Sequence, residues 1–174
     1  FSVIENVNLS SETAPFLVPN MFVNYNESSA VVAKARELAQ GVANQGDVVR
    51  NIYQWVVDNI TYDHDKAAQL ASATGYVPDP DATLASGTGI CFDYASLGAA
   101  MLRSLGIPCQ VITGYVSPDD VYHAWNMVYI DGEWISVEIS IKPNSWTRVD
   151  LTFAASGAAS TIGDGTSYTD RYTY

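Results

Sequence analysis

The stretch Gly87-Thr88-Gly89-Ile90-Cys91 sets a thiol directly behind two glycines and ahead of apolar residues at helical spacing, among them Leu97, Ala100, Met101 and Leu105. The glycines permit tight turns, and a helix starting at Cys91 would turn its unpaired N–H groups and the positive end of its dipole towards the sulfur. That setting favours a thiolate, and the same N–H groups can face a developing oxyanion. Taken alone, Cys91 reads equally well as a small core residue, since free cysteines are commonly buried. His123 changes the balance. It stands in Tyr122-His123-Ala124-Trp125-Asn126 at the start of a predicted strand, and a base that serves a thiol has to come from another element.

A third group should orient the imidazole. Asp131-Gly132 is a two-residue hairpin signal that pairs Ile130 with Glu133. In that register His123 faces Ser140, and Glu138 is its diagonal neighbour on the same face of the sheet. The expected catalytic set is therefore Cys91, His123 and Glu138.

The elements that must position these residues follow from periodicity. Residues 1–26 read as an irregular leader broken by Pro15 and Pro19. Ser28 or Ser29 can cap a helix carrying Val31, Val32, Ala35 and Leu38 as far as Gly41. Asp47 is the expected cap of a second helix with Val48, Ile52, Val56 and Ile60 on one stripe. Residues 61–65 read as an exit turn and residues 74–90 as a loop. The helix from Cys91 ends at Gly106 and Pro108. Beyond it the period changes to that of strands, over residues 109–116, 125–130, 133–141 and 146–153. Helices first and an antiparallel sheet after them make an α+β domain without βαβ units. Residues 27–153 form that domain, and residues 154–174, rich in Gly, Ala, Ser, Thr and Tyr, read as a surface-hugging or partly disordered tail.

Residues 47–153 resemble the transglutaminase-like superfamily, a branch of the papain-type thiol enzymes that contains transglutaminases, peptidases and inactive relatives. The likeness lies in Gly87-Thr88-Gly89-Ile90-Cys91, in Met101-Leu102-Arg103-Ser104-Leu105-Gly106-Ile107-Pro108, in Gly114-Tyr115, in His123-Ala124-Trp125-Asn126 and in Asp131-Gly132-Glu133-Trp134. It implies a papain-like fold with Cys91 as nucleophile and His123 as base. The family's acid is usually an Asp four residues after a Trp. Trp134 to Glu138 fits that frame with Glu in place of Asp, and Trp146 to Asp150 fits it with Asp. Glu138 is preferred because Asp150 would lie one strand, about 4.8 Å, further from His123. For the oxyanion the backbone N–H of Cys91 is the expected donor, with Tyr62 and Trp55 as open side-chain alternatives. Cys109 reads as a core residue and His64 as a solvated turn residue.

Composition bounds the rest. The chain has 174 residues and is 48% hydrophobic, which is ample for one core. No apolar run approaches the roughly 20 residues of a membrane helix. It opens at Phe1, so a trimmed N-terminus and an extracellular or cell-surface setting are expected. Two Cys and two His are too few for a disulfide scaffold or a zinc site, and no metal or other cofactor is expected. The expected substrate is a peptide or protein, cleaved or transferred at an amide. The alternative is a binding or scaffold module on the same fold that lacks turnover, a reading the Glu at the acid position favours. Eight Lys and Arg against 19 Asp and Glu give a net charge of −11, which repels phosphate backbones. Fluorescence anisotropy with DNA or RNA should therefore show no salt-sensitive affinity; binding that weakens steeply between low and moderate salt would overturn this.

Overall fold

The computed structural model describes residues 11–116, 121–137, 141–142, 145–146 and 168–174. After a short 3₁₀ turn at Ala14–Leu17 come the helices α1 (Ala30–Ala39) and α2 (Gln45–Asn59), the two-residue strand β1 (Thr61–Tyr62), and α3 (His64–Leu70). Then follow α4 (Pro80–Ser86), β2 (Thr88–Gly89) and α5 (Cys91–Ser104). The strands β3 (Cys109–Val116), β4 (Val121–Ile130), β5 (Glu133–Val137), β6 (Ile141–Lys142), β7 (Ser145–Trp146) and β8 (Tyr168–Thr173) complete the order. Five helices pack on a four-stranded antiparallel sheet of order β5-β4-β3-β8, so the α+β expectation holds.

Helix α5 is the axis of the domain. Every residue from Asp93 to Arg103 is buried, because the helix rests on β3 and β4 and is covered by α1, α2 and α4. Its Gly98 lets the ring of Tyr53 lie against the helix: a Cβ there would come within 3.1 Å of the ring and its hydroxyl. Val49, Ile52, Tyr53 and Val56 supply the facing stripe from α2. A helix buried on all sides cannot be read from amphipathic spacing alone, and its small residues Ala95, Gly98, Ala99 and Ala100 are what permit the close approach.

The β4–β5 hairpin turns on Asp131 (φ 53°) and Gly132 (φ 90°), both left-handed as a two-residue I′ turn requires. Ile130 pairs with Glu133 and the same register runs to Asn126 opposite Val137, as read from the sequence. Four elements depart from the sequence reading. Helix α2 starts two residues before Asp47, capped by Asn44, whose side-chain oxygen accepts from the Asp47 N–H at 2.8 Å. The exit turn is instead β1 followed by α3, with Asp63 capping α3 through the Lys66 N–H at 2.8 Å. The 74–90 loop contains α4, which Asp79 caps and Pro80 opens, and Gly87 in the left-handed region closes it. Within the 154–174 stretch, Tyr168–Thr173 forms β8 and pairs with β3. Residues 147–153, expected as a strand, lie outside the described residues.

Arg103 closes the far end of α5. Only 2% exposed, it donates to the main-chain oxygens of Cys109 (2.8 Å), Val18 (2.9 Å) and Tyr174 (2.8 Å), so one guanidinium ties the leader, β3 and the strand region after β8 together. Beside it Cys109 is fully buried, and burial pushes its thiol up to about 12. Burial also raises the Tyr53 phenol well above its ordinary value of 10.0, with the neighbouring Cys109 adding to the effect. Both are acids that release their protons more readily in the unfolded chain. Their contribution is complete below the ordinary thiol value of 9.0 and is lost as pH rises through the folded values. Above pH 9, first Cys109 and then Tyr53 should each remove about 1 kcal/mol of stability per pH unit. Thermal unfolding followed from pH 8 to 11 should show this fall, flattened in Cys109→Ala; a melting temperature level to pH 11 would contradict it.

Candidate active site

Cys91 occupies the first position of α5, after Ile90 as N-cap. What holds it there is Asp93, at the third helical position. Its carboxylate is wholly buried and accepts from the Ile90 N–H at 2.8 Å, which closes the first turn on itself. Its other donors are the Lys66 ammonium at 2.7 Å and the Tyr76 hydroxyl. Gly89 is required by this arrangement, since a Cβ at that position would stand 2.7 Å from the Asp93 Cβ.

The approach to Cys91 is fixed by the β1–β2 pair. Thr61 and Asp63 donate their N–H groups to Gly87 and Gly89 at 2.8 and 2.9 Å, which sets Tyr62 opposite Gly89, two residues before the thiol. Tyr62 is half-buried, its ring against His64 (5.0 Å between centroids) and Tyr94 (6.4 Å). Burial raises its phenol above 10.0, and the nearby Cys91 and Asp93 raise it further. At neutral pH it is thus protonated and able to donate. Trp55 lies elsewhere, on α2, with the Lys34 ammonium 5.4 Å from its ring centroid.

The opposite wall comes from β4. His123 pairs with Gly114 of β3. The ring is half-buried with its Nε2 inaccessible to solvent, and it lies nearly parallel to Trp125, 6.4 Å between centroids. Cys91, Tyr94 and Ala95 from α5 and His123, Trp125 and Asn126 from β4 line one cleft. Asn126 fastens its two walls. It donates to the Ala95 and Gln110 carbonyls, each at 3.0 Å, and accepts from the Tyr53 hydroxyl at 2.7 Å.

Of the expected site residues, the structure brings Cys91 and His123 to the same cleft and sets Tyr62 beside Tyr94, which lines that cleft. Glu138 and Asp150 lie outside the described residues, although the pairing used to position Glu138 is the observed one up to Val137. His64 is exposed at the start of α3. Cys91 and Cys109 are both free, Cys91 at the start of α5 and Cys109 at the start of β3. Among the described residues no three His, Cys, Asp or Glu side chains are placed to hold a metal ion. Sequence reading missed Asp93, Lys66, Tyr76 and the role of Asn126. An acid three residues after an N-cap was the legible signal for Asp93; its partners come from 17 and 27 residues away and left none.

Residues 32–150 match the model of the transglutaminase-like superfamily, and the chain belongs to that family. It is 33% identical over 120 residues to cytokinesis protein 3 of Schizosaccharomyces pombe, covering 61% of this chain and 12% of that one. It is 30% identical over 112 residues to the kyphoscoliosis peptidase of Mus musculus, covering 59% of this chain and 16% of the relative. Among solved structures, a candidate cysteine protease from Cytophaga hutchinsonii superposes with a TM-score of 0.59 at 27% identity, over 76% of this chain and 43% of the other. A candidate protease from Parabacteroides distasonis, at 23% identity, 65% and 24% coverage and a TM-score of 0.53, shares the fold. The chain thus spans less than half the length of these relatives.

Gly89→Ala should be the most informative substitution at the approach to Cys91. Forcing a methyl against Asp93 should cost about 1–3 kcal/mol of stability and slow alkylation of Cys91. A variant with unchanged melting temperature and unchanged thiol reactivity would show that the 2.7 Å approach is not a constraint.

Proposed function

We propose that the protein carries out thiol-dependent hydrolysis or acyl transfer at amide bonds of peptide or protein substrates. The observation that carries this is the opening of the first turn of α5, with Cys91 at its head, onto the same cleft as His123. Membership of a family that contains peptidases and transglutaminases supports it.

In this reading the Cys91 sulfur attacks the amide carbonyl carbon while the imidazole of His123 holds the thiol's proton. The carbonyl electrons move onto oxygen, where the Cys91 N–H and the Tyr62 hydroxyl can donate. The oxyanion collapses, the C–N bond breaks, and His123 gives its proton to the leaving amine. A thioester remains on Cys91. Water or a second amine, deprotonated by His123, attacks that thioester and restores the thiol. Water makes the protein a peptidase or amidase, and an amine makes it a cross-linking enzyme. Glu138 orients the ring and stabilises its charged form. The reading includes no cofactor, and nucleic acid is not its substrate, in keeping with the charge of −11.

Iodoacetamide alkylation across pH tests this, because the fully buried Cys109 leaves Cys91 as the accessible thiol. Alkylation should be fast near neutral pH. Glu138→Gln should move the profile towards that of a free cysteine, and Asp150→Asn should leave it nearly unchanged. The reverse ranking would assign the acid to Asp150. A wild-type profile like free cysteine would sink the enzymatic reading and leave a binding module.

A further inference from the structure

Lys66 and Asp93 form the most buried ion pair among the described residues, and the mechanism above does not use it. Asp93 is 0% exposed and the Lys66 side chain 30%, with 2.7 Å between Nζ and Oδ2. Burial pulls the Lys66 ammonium down, but its hydrogen bonds to Asp93 and Tyr76 outweigh that, so it is held in the charged state. Its Nζ also sits 4.8 Å from the centroid of the Tyr76 ring, whose hydroxyl donates to the other Asp93 oxygen.

The arrangement bears on the residue two positions earlier, Cys91. A carboxylate at the third position of a helix satisfies the positive end of the dipole. The same carboxylate opposes a second anion at the first position, which is where Cys91 lies. One helix end cannot compensate both. The two stand in the same first turn of α5, within electrostatic range of each other.

We propose that Lys66 is a positioning residue for the nucleophile: by cancelling the charge of Asp93 it leaves the N-terminal field of α5 to the Cys91 thiolate, while Asp93 remains free to hold the turn. Among the described residues, the other titratable groups near this corner are Tyr62 from β1, Asp63 capping α3, His64 against Tyr62, Tyr76 from the 71–79 segment, Tyr94 from α5 and His123 across the cleft. None of them donates to Asp93 except Tyr76, which carries no formal positive charge. The cation is supplied by Lys66 alone among the described contacts of Asp93. The inference rests on Cys91 being the nucleophile.

The test is the pH profile of Cys91 alkylation by iodoacetamide in the full chain. Lys66→Met should shift the profile up by about one pH unit, slowing the reaction near pH 7 by about tenfold, with the high-pH plateau unchanged. Lys66→Arg keeps the charge and should stay within about twofold of wild type. Lys66→Met combined with Asp93→Asn removes both charges and should restore most of the lost rate. A Lys66→Met profile that superposes on an activated wild type overturns the inference but leaves the nucleophile standing. A lowered plateau, or a double variant as slow as the single one, overturns it by making the pair merely structural. Should Lys66→Met not fold, Lys66→Gln against Lys66→Arg decides in the same way, since only one of them carries charge. A wild type that already reacts like free cysteine removes the nucleophile and the inference together.

Discussion

The start of α5 depends on one buried carboxylate. Asp93 accepts from a backbone N–H, an ammonium and a phenol that belong to three different parts of the chain. Burying a carboxylate costs several kcal/mol unless it is paired and hydrogen-bonded, so all three donors are held in place by the need to satisfy it. The turn before Cys91, the orientation of α3 and the path of the 71–79 segment are thereby coupled. Gly89 belongs to the same constraint, because the backbone of β2 must pass against the Asp93 side chain.

A second polar tie, Asn126, does for the two halves of the cleft what Asp93 does for one. The helices deliver Cys91 and the sheet delivers His123, and the two are packed together by aliphatic contacts that specify distance poorly. Asn126 spends both of its amide hydrogens on carbonyls of α5 and β3 and accepts from Tyr53 of α2, all within the buried core. Each unsatisfied partner would cost about 1–3 kcal/mol, so slippage of α5 along the sheet is penalised. Arg103 repeats the device at the other end of α5 with three main-chain oxygens. The helix is pinned at its start, middle and end by polar contacts within an otherwise apolar core.

The elements that proved legible in the sequence carry strong local signals. Asp131-Gly132 fixed the hairpin register because both residues tolerate positive φ. The glycine approach and the Gly106 stop bounded α5. What was missed is short or nonlocal. Helices α3 and α4 have seven residues each, too few for periodicity, although Asp79-Pro80 and Gly87 are proper boundary signals. Asn44 and Asp47 are both good caps, and choosing between them needs the first hydrogen bond rather than composition. Strand β8 follows a run of Gly, Ala, Ser and Thr that gives no hint of an ending in Tyr168–Thr173, and its place beside β3 is decided by the sheet edge it covers. At the site, residue type and spacing pointed to Cys91 and His123, whereas Lys66 and Tyr76 gain meaning only once the chain is folded around Asp93.

These features divide the labour of the cleft between rigidity and charge. Position comes from groups that are neutral or cancelled: Asn126, the capped turn and the paired strands β1 and β2. The uncancelled field near the sulfur is then that of the helix end itself, and it is the property a thiolate requires. If Cys91 is the nucleophile, a site built this way would tolerate variation in its third member, because the sulfur would not rely on the imidazole alone for its charged form. A Glu in place of the Asp that the family resemblance implies would be compatible with that division. On the proposed role of Glu138, the acid's task would narrow to steering the ring of His123, since the helix end would already favour the charged sulfur.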